Sequence, residues 1–400
     1  MKKFPLLENW TRLTLFITII VLTASWSSFS QTNVGGSYQS TNVKWTIAGS
    51  PYNLVSNVYL QGATLTIEPN VVVNLNGYSI TVNSRIGYGP TVYSSQGVLE
   101  ANDVTFNNTG SKNSRFEFQG AIDKYYSEYK AVGFFKNCIF QNVQFYFDYL
   151  SNSGVNISSL NFNASVNGNA FTCTGGTAPF GYGASEQTLS GNKIVGYKYP
   201  FVISNDAYPT ISGNDVSGCV FKGIGLQGTF YTNYTLGDYN KLPYQLSYSL
   251  YIYGNTFTIP SGLSIDMQAN SINVNAKNSG VLVDRSEAFL NASGVTFTGS
   301  STGSGLIQYN GFLGTGQAEF WSGGTMDKCT FNNVRFDIGQ YSKPKITNSN
   351  LTITSSVNAT AFMISGYINN NANGFTTPEL SGNKIVGYKY PFVISNDAYP

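Results

Sequence analysis

The sequence predicts an all-β protein, a right-handed parallel β-helix solenoid built from tandem units of about 191 residues. Three observations predict this fold: a long internal repeat, short strands in which apolar and polar residues alternate, and the near absence of helical periodicity. A β-sandwich array is the competing fold, because it also contains many short strands joined by turns. The short Asn-centred motifs described below favour the solenoid.

Residues 1–30 have the features of a secretory signal peptide that is cleaved after Ser30. Three basic residues precede an uncharged apolar run from Leu13 to Ala24, and small residues follow it. This run is shorter than the roughly 20 residues that a membrane span needs. We therefore expect a secreted or cell-surface protein without a transmembrane segment, with an uncleaved anchor as the alternative. Residues 31–51 are predicted to form an N-terminal lead-in or cap.

Two β-helix units are predicted to follow, the first over residues 52–242 and the second over residues 243–400. The 21-residue segment that ends at Pro209 recurs without change at the end of the sequence, and weaker matches keep nearly the same offset elsewhere. Pro400 falls where the first unit continues into another strand-like segment. We therefore expect the second unit to be incomplete at its C-terminal end.

Inside each unit, short strands are separated by a Gly-Asn-x-Ile or Gly-Asn-x-Val motif. The motif places Asn192 and Asn214 about one solenoid coil apart, and Asn255 has a similar setting. In stacked coils, an Asn at a corner can hydrogen-bond its counterpart in the next coil. The alternation also predicts the side chains that point inward: Leu65, Ile67, Ile194, Ile203, Ile211 and Val216.

The composition excludes several classes of function. Removal of residues 1–30 takes away three basic residues and one acidic residue, which leaves equal numbers of each. A neutral chain without basic clusters does not suit nucleic acids or anionic membranes. There is no histidine, so imidazole catalysis and histidine-ligated metals are excluded. We expect no cofactor and no metal.

The four cysteines do not form a metal-binding or redox motif, since no two have the required close spacing. Cys138 aligns with Cys329, whereas Cys173 aligns with Ile364, which indicates a small buried apolar site. A disulfide between Cys138 and Cys219 stays open, because export permits disulfides.

The Gly-Asn-x-Ile/Val pattern and the segment GATLTIEPN at residues 62–70 resemble the right-handed parallel β-helix repeat family, which shares its superfold with the pectate lyases. The resemblance covers about residues 52–400. The region before Gln31 resembles exported proteins of Gram-negative bacteria that use type IX secretion. Secretion by that route requires a C-terminal sorting domain, which is not visible in this sequence.

The resemblance raises two kinds of catalysis, and the sequence supports neither. Polysaccharide lyases of this fold combine calcium-binding carboxylates with a basic residue. The best local cluster is Asp284-Arg285-Ser286-Glu287, which we interpret as a solvated loop because residues 93–96, at the same offset, carry no charge. The Asn-Thr-Asp, Asp-Asp and Gly-His-Gly segments typical of galacturonan hydrolases are absent. Carboxylates from different coils could still converge.

Tyrosine is the remaining functional clue, with 28 residues in the chain. Tyrosine combines a flat apolar face with a hydroxyl group, which suits sugar stacking and protein contacts, although many rings can simply fill the solenoid. One Tyr-Lys-Tyr sequence recurs in both units and is predicted to protrude as two identical corners that bind a polysaccharide or a surface or matrix glycan bivalently. The candidate ligand-binding residues are Tyr197, Lys198, Tyr199, Tyr388, Lys389 and Tyr390.

These observations predict a noncatalytic extracellular or cell-surface protein that acts as an adhesive or structural rod. Stacked coils contact only their neighbours, so such a rod can lengthen by duplication of a unit. The alternative is a carbohydrate-active enzyme, similar to the polysaccharide lyases, or a sugar-binding module on the same fold. A carboxylate cluster in a concave groove would favour the enzyme.

Overall fold

The computed structural model describes residues 31–86, 94–123, 125, 127–162, 168–178, 181–183, 185–278, 285–301, 305–314, 318–354, 359–369, 372–396 and 398–400. The predicted signal peptide lies outside these residues. The described chain is built of β-strands, with two short 3-10 turns at Ile47–Gly49 and Tyr239–Lys241. No helix in the described ranges has the length and apolar character needed to cross a membrane.

Among the described residues, 25 strands form one bent sheet with parallel pairing between successive coils. Its strands fall into three rows. Row a lies in the first half of the chain and contains Val72–Asn74, Thr105–Asn107, Ile139–Gln141, Ser159–Asn161, Lys193–Val195 and Asp215–Gly218. Row b runs through both halves and contains Ile80–Asn83, Ser114–Gln119, Val143–Phe147, Asn169–Thr174, Tyr199–Ser204, Ser264–Gln268, Thr296–Gly299, Thr330–Asn332, Asn350–Thr352 and Lys384–Val386.

Row c lies in the second half and contains Ser271–Asn275, Gly305–Asn310, Val334–Ile338, Thr360–Ser365 and Tyr390–Ser395. Four longer strands cross a bend between rows. Thr32–Gln39 and Tyr52–Gln61 join rows a and b, whereas Ile224–Phe230 and Tyr244–Tyr253 join rows b and c. Strands at equivalent positions in the two halves therefore lie on different faces of the solenoid: rows a and b of the first half correspond to rows b and c of the second.

Each half also has its own parallel side sheet, which closes the coils. The first side sheet contains Asn42–Trp45, Thr64–Ile67, Val98–Asn102, Val132–Lys136, Gly154–Asn156, Thr188–Ser190 and Thr210–Ser212. The second contains Tyr234–Thr235, Thr256–Ile259, Ala288–Ser293, Ser322–Asp327, Ser342–Thr347 and Glu379–Ser381. With three parallel faces around one interior, the protein is a parallel β-helix, as predicted.

Antiparallel hairpins project from the coils where the chain passes from the bent sheet to a side sheet. Their strand pairs are Ala121–Ile122 with Glu128–Tyr129, Gly176–Ala178 with Gly181–Gly183, Lys277–Asn278 with Arg285–Ser286, Phe312–Leu313 with Glu319–Phe320, and Tyr367–Asn369 with Ala372–Gly374. Loops of this kind tolerate variation because they leave the stacked core intact.

The interior is a continuous apolar core, and the side chains predicted to point inward are buried, which confirms the alternation: Leu65, Ile67, Ile194, Ile203, Ile211 and Val216. Phenylalanine rings stack from coil to coil. Phe145 lies 5.2 Å from Phe116 between ring centroids and the same distance from Phe171. Gly133 keeps this core open, because a Cβ there would lie 2.6 Å from the ring of Phe118.

The Asn-centred motif forms the predicted contact between coils. The Asn192 amide donates to Asn214 Oδ1 at 3.0 Å and to the Val155 carbonyl at 2.6 Å. Its own Oδ1 accepts from the Ser158 backbone N–H at 3.0 Å. These bonds satisfy polar groups at a corner where the strand ladder is interrupted. Asn255 differs from the prediction, because its amide donates to the Phe230 and Tyr253 carbonyl oxygens and not to an asparagine of the next coil.

The order of elements at the start of the described chain recurs in the middle. Residues 31–51, predicted as a lead-in or cap, contribute strands that pair in parallel with the next coil. The order of long strand, short side-sheet strand, 3-10 turn and long strand over residues 32–61 is found again over residues 224–253. The unit length and boundaries stay predictions.

All four cysteines are free and buried. Cys138 and Cys219 lie beside row a strands that are three steps apart in the sheet. At roughly 4.8 Å per step, this separation is about 14 Å, whereas a disulfide needs Cα atoms within about 7 Å. The disulfide between Cys138 and Cys219 that the sequence left open is therefore excluded by the fold.

Candidate functional site

The Tyr-Lys-Tyr corner of the first unit does not protrude, so that part of the expectation is wrong. Tyr197 is 0% exposed and Tyr199 5% exposed. The Tyr197 hydroxyl donates to the Val143 carbonyl at 2.5 Å, and burial raises its pKa. Tyr199 donates to Gln245 Oε1 at 2.6 Å. Both tyrosines have structural partners, and Lys198 lies with its Nζ 5.2 Å from the Tyr199 ring centroid.

The second copy of the corner has a different setting. Tyr388 is partly buried and donates to the Val334 carbonyl, as Tyr197 does to Val143, whereas Lys389 and Tyr390 are exposed. The following strands, Tyr199–Ser204 and Tyr390–Ser395, belong to rows b and c respectively. The two corners therefore lie on different faces, and the fold does not provide the predicted pair of identical protruding sites.

The structure describes the charged cluster considered for lyase chemistry only in part. Asp284 lies outside the described residues, and Arg285 and Ser286 belong to a projecting hairpin. The Glu287 carboxylate pairs with Lys343 Nζ at 3.6 Å. Among the described residues, no group of three potential metal-ligating side chains comes together.

The concave surface with the most distinctive chemistry lies on the outside of row b, and we call it the outer groove. Its larger part has a volume of about 530 Å³ and crosses from the first half of the chain to the second. Its smaller part has a volume of about 140 Å³ and shares Tyr146 with the larger one. The described lining residues are Thr81, Asn83, Arg115, Glu117, Phe118, Gln119, Tyr146, Asp148, Thr172, Thr174, Ser204, Asn205, Gln227, Gly228, Thr229, Tyr248, Ser249, Tyr251 and Asn270.

Three tyrosines give the outer groove its aromatic surface. Tyr248 is 70% exposed, Tyr251 44% and Tyr146 36%. In the long strand Tyr244–Tyr253, Leu246 pairs with Leu226 and Leu250 pairs with Gly228, so residues 247–249 lie opposite a single residue of the neighbouring strand. The strand therefore loops outward at Tyr248. This irregularity lifts the ring of Tyr248 from the sheet and turns a flat face into a groove.

The floor between these rings is polar and uncharged. Thr174 and Ser204 lie on adjacent strands with their hydroxyl oxygens 2.8 Å apart. Asn205 Oδ1 accepts from the Thr229 backbone N–H at 2.8 Å, which fixes the amide in place. Hydroxyl and amide groups held at strand spacing, next to exposed aromatic faces, can bind a ligand that carries many hydroxyl groups and apolar ring faces.

The smaller part of the groove brings two carboxylates close to Tyr146. Glu117 pairs with Tyr146 across adjacent strands, and Asp148 lies two residues further along. Burial raises the pKa of Asp148, and the charge of Glu117 raises it further. Asp148 Oδ1 also accepts from the Tyr149 backbone N–H at 2.8 Å, so the carboxylate fixes a turn as well.

The sequence did not indicate the outer groove, because its residues come together only through stacking. Tyr146 and Tyr248 lie far apart in the chain and belong to coils that the motif alone does not place side by side. The alternation that predicts a buried Ile cannot show which exposed positions of different coils will line one surface.

No family model and no curated protein sequence matches this chain. Among solved structures, the chain is similar to the surface protein and adhesin PfbA of Streptococcus pneumoniae, with 13% identity, 88% of this chain and 91% of that chain covered, and a TM-score of 0.24. It is also similar to the tailspike receptor binding domain of Siphovirus 9NA, with 9% identity, 92% and 73% covered, and a TM-score of 0.21. At these TM-scores the fold assignment rests on the strand pairing described above.

Proposed function

We propose that this protein is an exported, noncatalytic surface rod that binds neutral polysaccharide in the outer groove. The observation that carries the proposal is the presence of three exposed tyrosine rings around an uncharged floor of hydroxyl and amide groups. A sugar ring can stack on a tyrosine while its hydroxyl groups bond to the floor. Export rests on the predicted signal peptide.

Charge selects neutral glycans over polyuronates. Arg115 is the only cation among the described lining residues, and its guanidinium lies 3.9 Å from the Glu117 carboxylate. Glu117 and Asp148 would repel a polyanion approaching from that end. A lyase of this fold needs a free basic residue beside calcium-binding carboxylates, whereas Arg115 is paired with Glu117, so the polysaccharide-lyase alternative is the weaker one.

The test compares tyrosines that line the groove with one that does not. The double change Tyr248→Ala with Tyr251→Ala is expected to weaken binding to galactomannan by about tenfold or more, the factor that corresponds to roughly 1.4 kcal/mol. Tyr59→Ala is the matched control, because Tyr59 lies on the corresponding long strand of the first half and outside the groove lining. Affinity electrophoresis in galactomannan and in polygalacturonate measures the binding of each variant to a neutral glycan and to a polyuronate. Equal retardation of all variants in galactomannan would refute the proposal.

The second copy of the Tyr-Lys-Tyr corner, with Lys389 and Tyr390, is a separate proposed contact, because it repeats the aromatic and basic residues of the first copy. Tyr390→Ala in the same gels tests it. A loss of retardation in Tyr390→Ala alone would assign binding to this corner and not to the groove.

A second candidate function, glycoside hydrolysis, is favoured by the Glu117 and Asp148 pair. Hydrolysis needs one carboxyl group that stays protonated to act as the acid, and the raised pKa of Asp148 beside Glu117 fits that role. Release of reducing ends from galactomannan by the purified protein, abolished in Asp148→Asn, would establish hydrolysis and overturn the noncatalytic proposal.

A further inference from the structure

A second concave surface lies on the outside of the first side sheet and shares no lining residue with the outer groove. Its volume is about 790 Å³. Thr66, Glu100 and Phe134 line it from adjacent strands in register, and Lys136 lies two residues beyond Phe134 on the same face. We call this surface the Phe134 cleft.

Phe134 dominates the chemistry of this cleft. The ring is 55% exposed although its neighbours in the same strand, Gly133 and Phe135, are buried. Across the sheet, Phe134 pairs with Glu100 on one side and with Gly154 on the other. Since Gly154 has no side chain, the ring is left uncovered toward that strand. Exposed aromatic side chains of this kind are preferred anchors in protein interfaces.

The charges around Phe134 are only partly compensated within the molecule. Lys44 Nζ lies 2.7 Å from the Glu68 carboxylate, so these two residues neutralise each other. Glu100 accepts a bond of 3.3 Å from the Thr66 hydroxyl. No ion pair joins Glu100 or Lys136 to another described residue. One uncompensated negative and one uncompensated positive charge therefore flank the exposed ring.

The second half contains a cleft of the same construction, which serves as an internal comparison. It lies on the second side sheet and has a volume of about 620 Å³. The residues at the positions of Thr66, Glu100, Phe134 and Lys136 are, in the same order, Thr258, Asn291, Thr325 and Asp327. This twin cleft has no exposed aromatic ring among its described lining residues.

The carboxylate of the twin cleft is already bound within the protein. Asp327 Oδ1 accepts from the Thr347 hydroxyl at 2.9 Å and from the Asn348 amide at 2.8 Å, and these bonds lower its pKa. The concave shape thus follows from the fold in both halves. The exposed ring and the two uncompensated charges are present only in the Phe134 cleft.

We propose that the Phe134 cleft binds a segment of a protein partner in which an apolar side chain lies between a basic and an acidic residue. The apolar side chain packs on Phe134, the basic group pairs with Glu100, and the acidic group pairs with Lys136. Charge complementarity selects this occupant, because both partner charges meet an uncompensated opposite charge. This site goes beyond glycan binding, since the outer groove has an uncharged floor and lies on another face.

The test uses two short peptides and ligand-observed saturation-transfer NMR. We expect acetyl-Arg-Leu-Glu amide to bind the protein and acetyl-Gln-Leu-Gln amide to bind at least tenfold more weakly. Phe134→Thr and Lys136→Asp install the side chains of the twin cleft at the same positions, so the fold accommodates them, and circular dichroism checks this. Both variants should lose at least tenfold in affinity for the charged peptide.

Thr325→Ala in the twin cleft is the matched control and should bind the charged peptide like the unchanged protein. Equal binding of both peptides, no binding of either, or unchanged binding in Phe134→Thr would overturn the proposal. Displacement of the charged peptide by galactomannan would also overturn it, since that result assigns the cleft to glycan. Loss of galactomannan binding in Tyr248→Ala with Tyr251→Ala does not bear on this outcome, so the two proposals can fail separately.

Discussion

Several buried or partly buried tyrosines in this solenoid direct their hydroxyl groups to backbone carbonyl oxygens. Tyr197 bonds to Val143, and Tyr234, Tyr239 and Tyr244 bond to Ala207, Pro209 and Gly237 at 2.6 to 2.8 Å. Three of these four lie where the first side sheet ends and the second begins. A buried hydroxyl is stable only with a partner, so the abundance of tyrosine is in part a means of filling irregular turns between coils.

Asp206 makes a pH-dependent contribution at the same place. It is 5% exposed, and burial raises its pKa despite the bonds that its carboxylate accepts from Tyr231 and Thr232 N–H groups. A carboxyl group whose pKa is higher in the folded state binds more protons there than in the unfolded chain. The free energy of unfolding therefore decreases as pH rises from about 4 through the folded-state pKa.

Asp206→Asn should remove this term while keeping an oxygen acceptor for the N–H groups. We expect the unchanged protein to gain stability relative to Asp206→Asn as pH falls from 7 toward 4. Urea unfolding of both proteins at pH 7, 5 and 4 measures the difference. Parallel pH profiles would show that the carboxyl group titrates as in the unfolded chain.

Residue-scale features were predictable where they depend on alternation within one strand. Ile194 and Ile203 are buried because a strand has one inward face, and this information is local. Tyr197 and Phe134 show the limit of the same argument. Tyr197 is buried by residues of another coil, and Phe134 is exposed partly because Gly154 on the next strand has no side chain. Neither neighbour can be read from the strand itself.

At the scale of elements, the corner asparagines hold successive coils together. Asn192 and Asn383 occupy equivalent positions and make the same two bonds, one to a backbone carbonyl at 2.6 Å and one from a serine N–H at 3.0 Å. Asn192 also donates to Asn214 and is 1% exposed. The motif predicted this contact because its spacing equals one coil.

Asn192→Ala should therefore destabilise the protein. Loss of the buried amide leaves the Ser158 N–H and the Val155 carbonyl without these bonds, at a cost of about 2 to 3 kcal/mol. Urea unfolding of the variant and of the unchanged protein measures this cost. An unchanged free energy of unfolding would show that the corner bonds have no energetic effect.

At the scale of the whole molecule, the two halves share one row of strands and differ in the rest. Among the described strands, only row b continues through the middle, from Ile203 through Leu226 to Leu246. Rows a and c and the two side sheets belong to one half each. The sequence predicted two similar units. It did not predict that equivalent strands of the two units lie on different faces, because this depends on how Ile224–Phe230 pairs with the strands on both sides. Equivalent residues of the two halves therefore point in different directions.

This construction predicts that damage to the core stays local. Phe145 and Phe336 are equivalent, fully enclosed ring positions in the two halves. Phe145 packs on Phe116 and Phe171 of adjacent coils, and Phe336 packs on Phe362 of the next coil. Replacement of either by Ala should cost about 3 to 5 kcal/mol through lost burial and the cavity that remains. In a solenoid each coil contacts only its neighbours, so this loss should not spread evenly through the chain.

Hydrogen exchange followed by mass spectrometry measures where protection is lost. Phe145→Ala should accelerate exchange in peptides from residues 98–204, and Phe336→Ala in peptides from residues 288–395, while the other half changes little. Row b is the one continuous row across the middle, so strands Ile224–Phe230 and Tyr244–Tyr253 should show an intermediate effect in both variants. A uniform loss of protection over both halves in either variant would show instead that row b alone couples the whole rod into one cooperative unit.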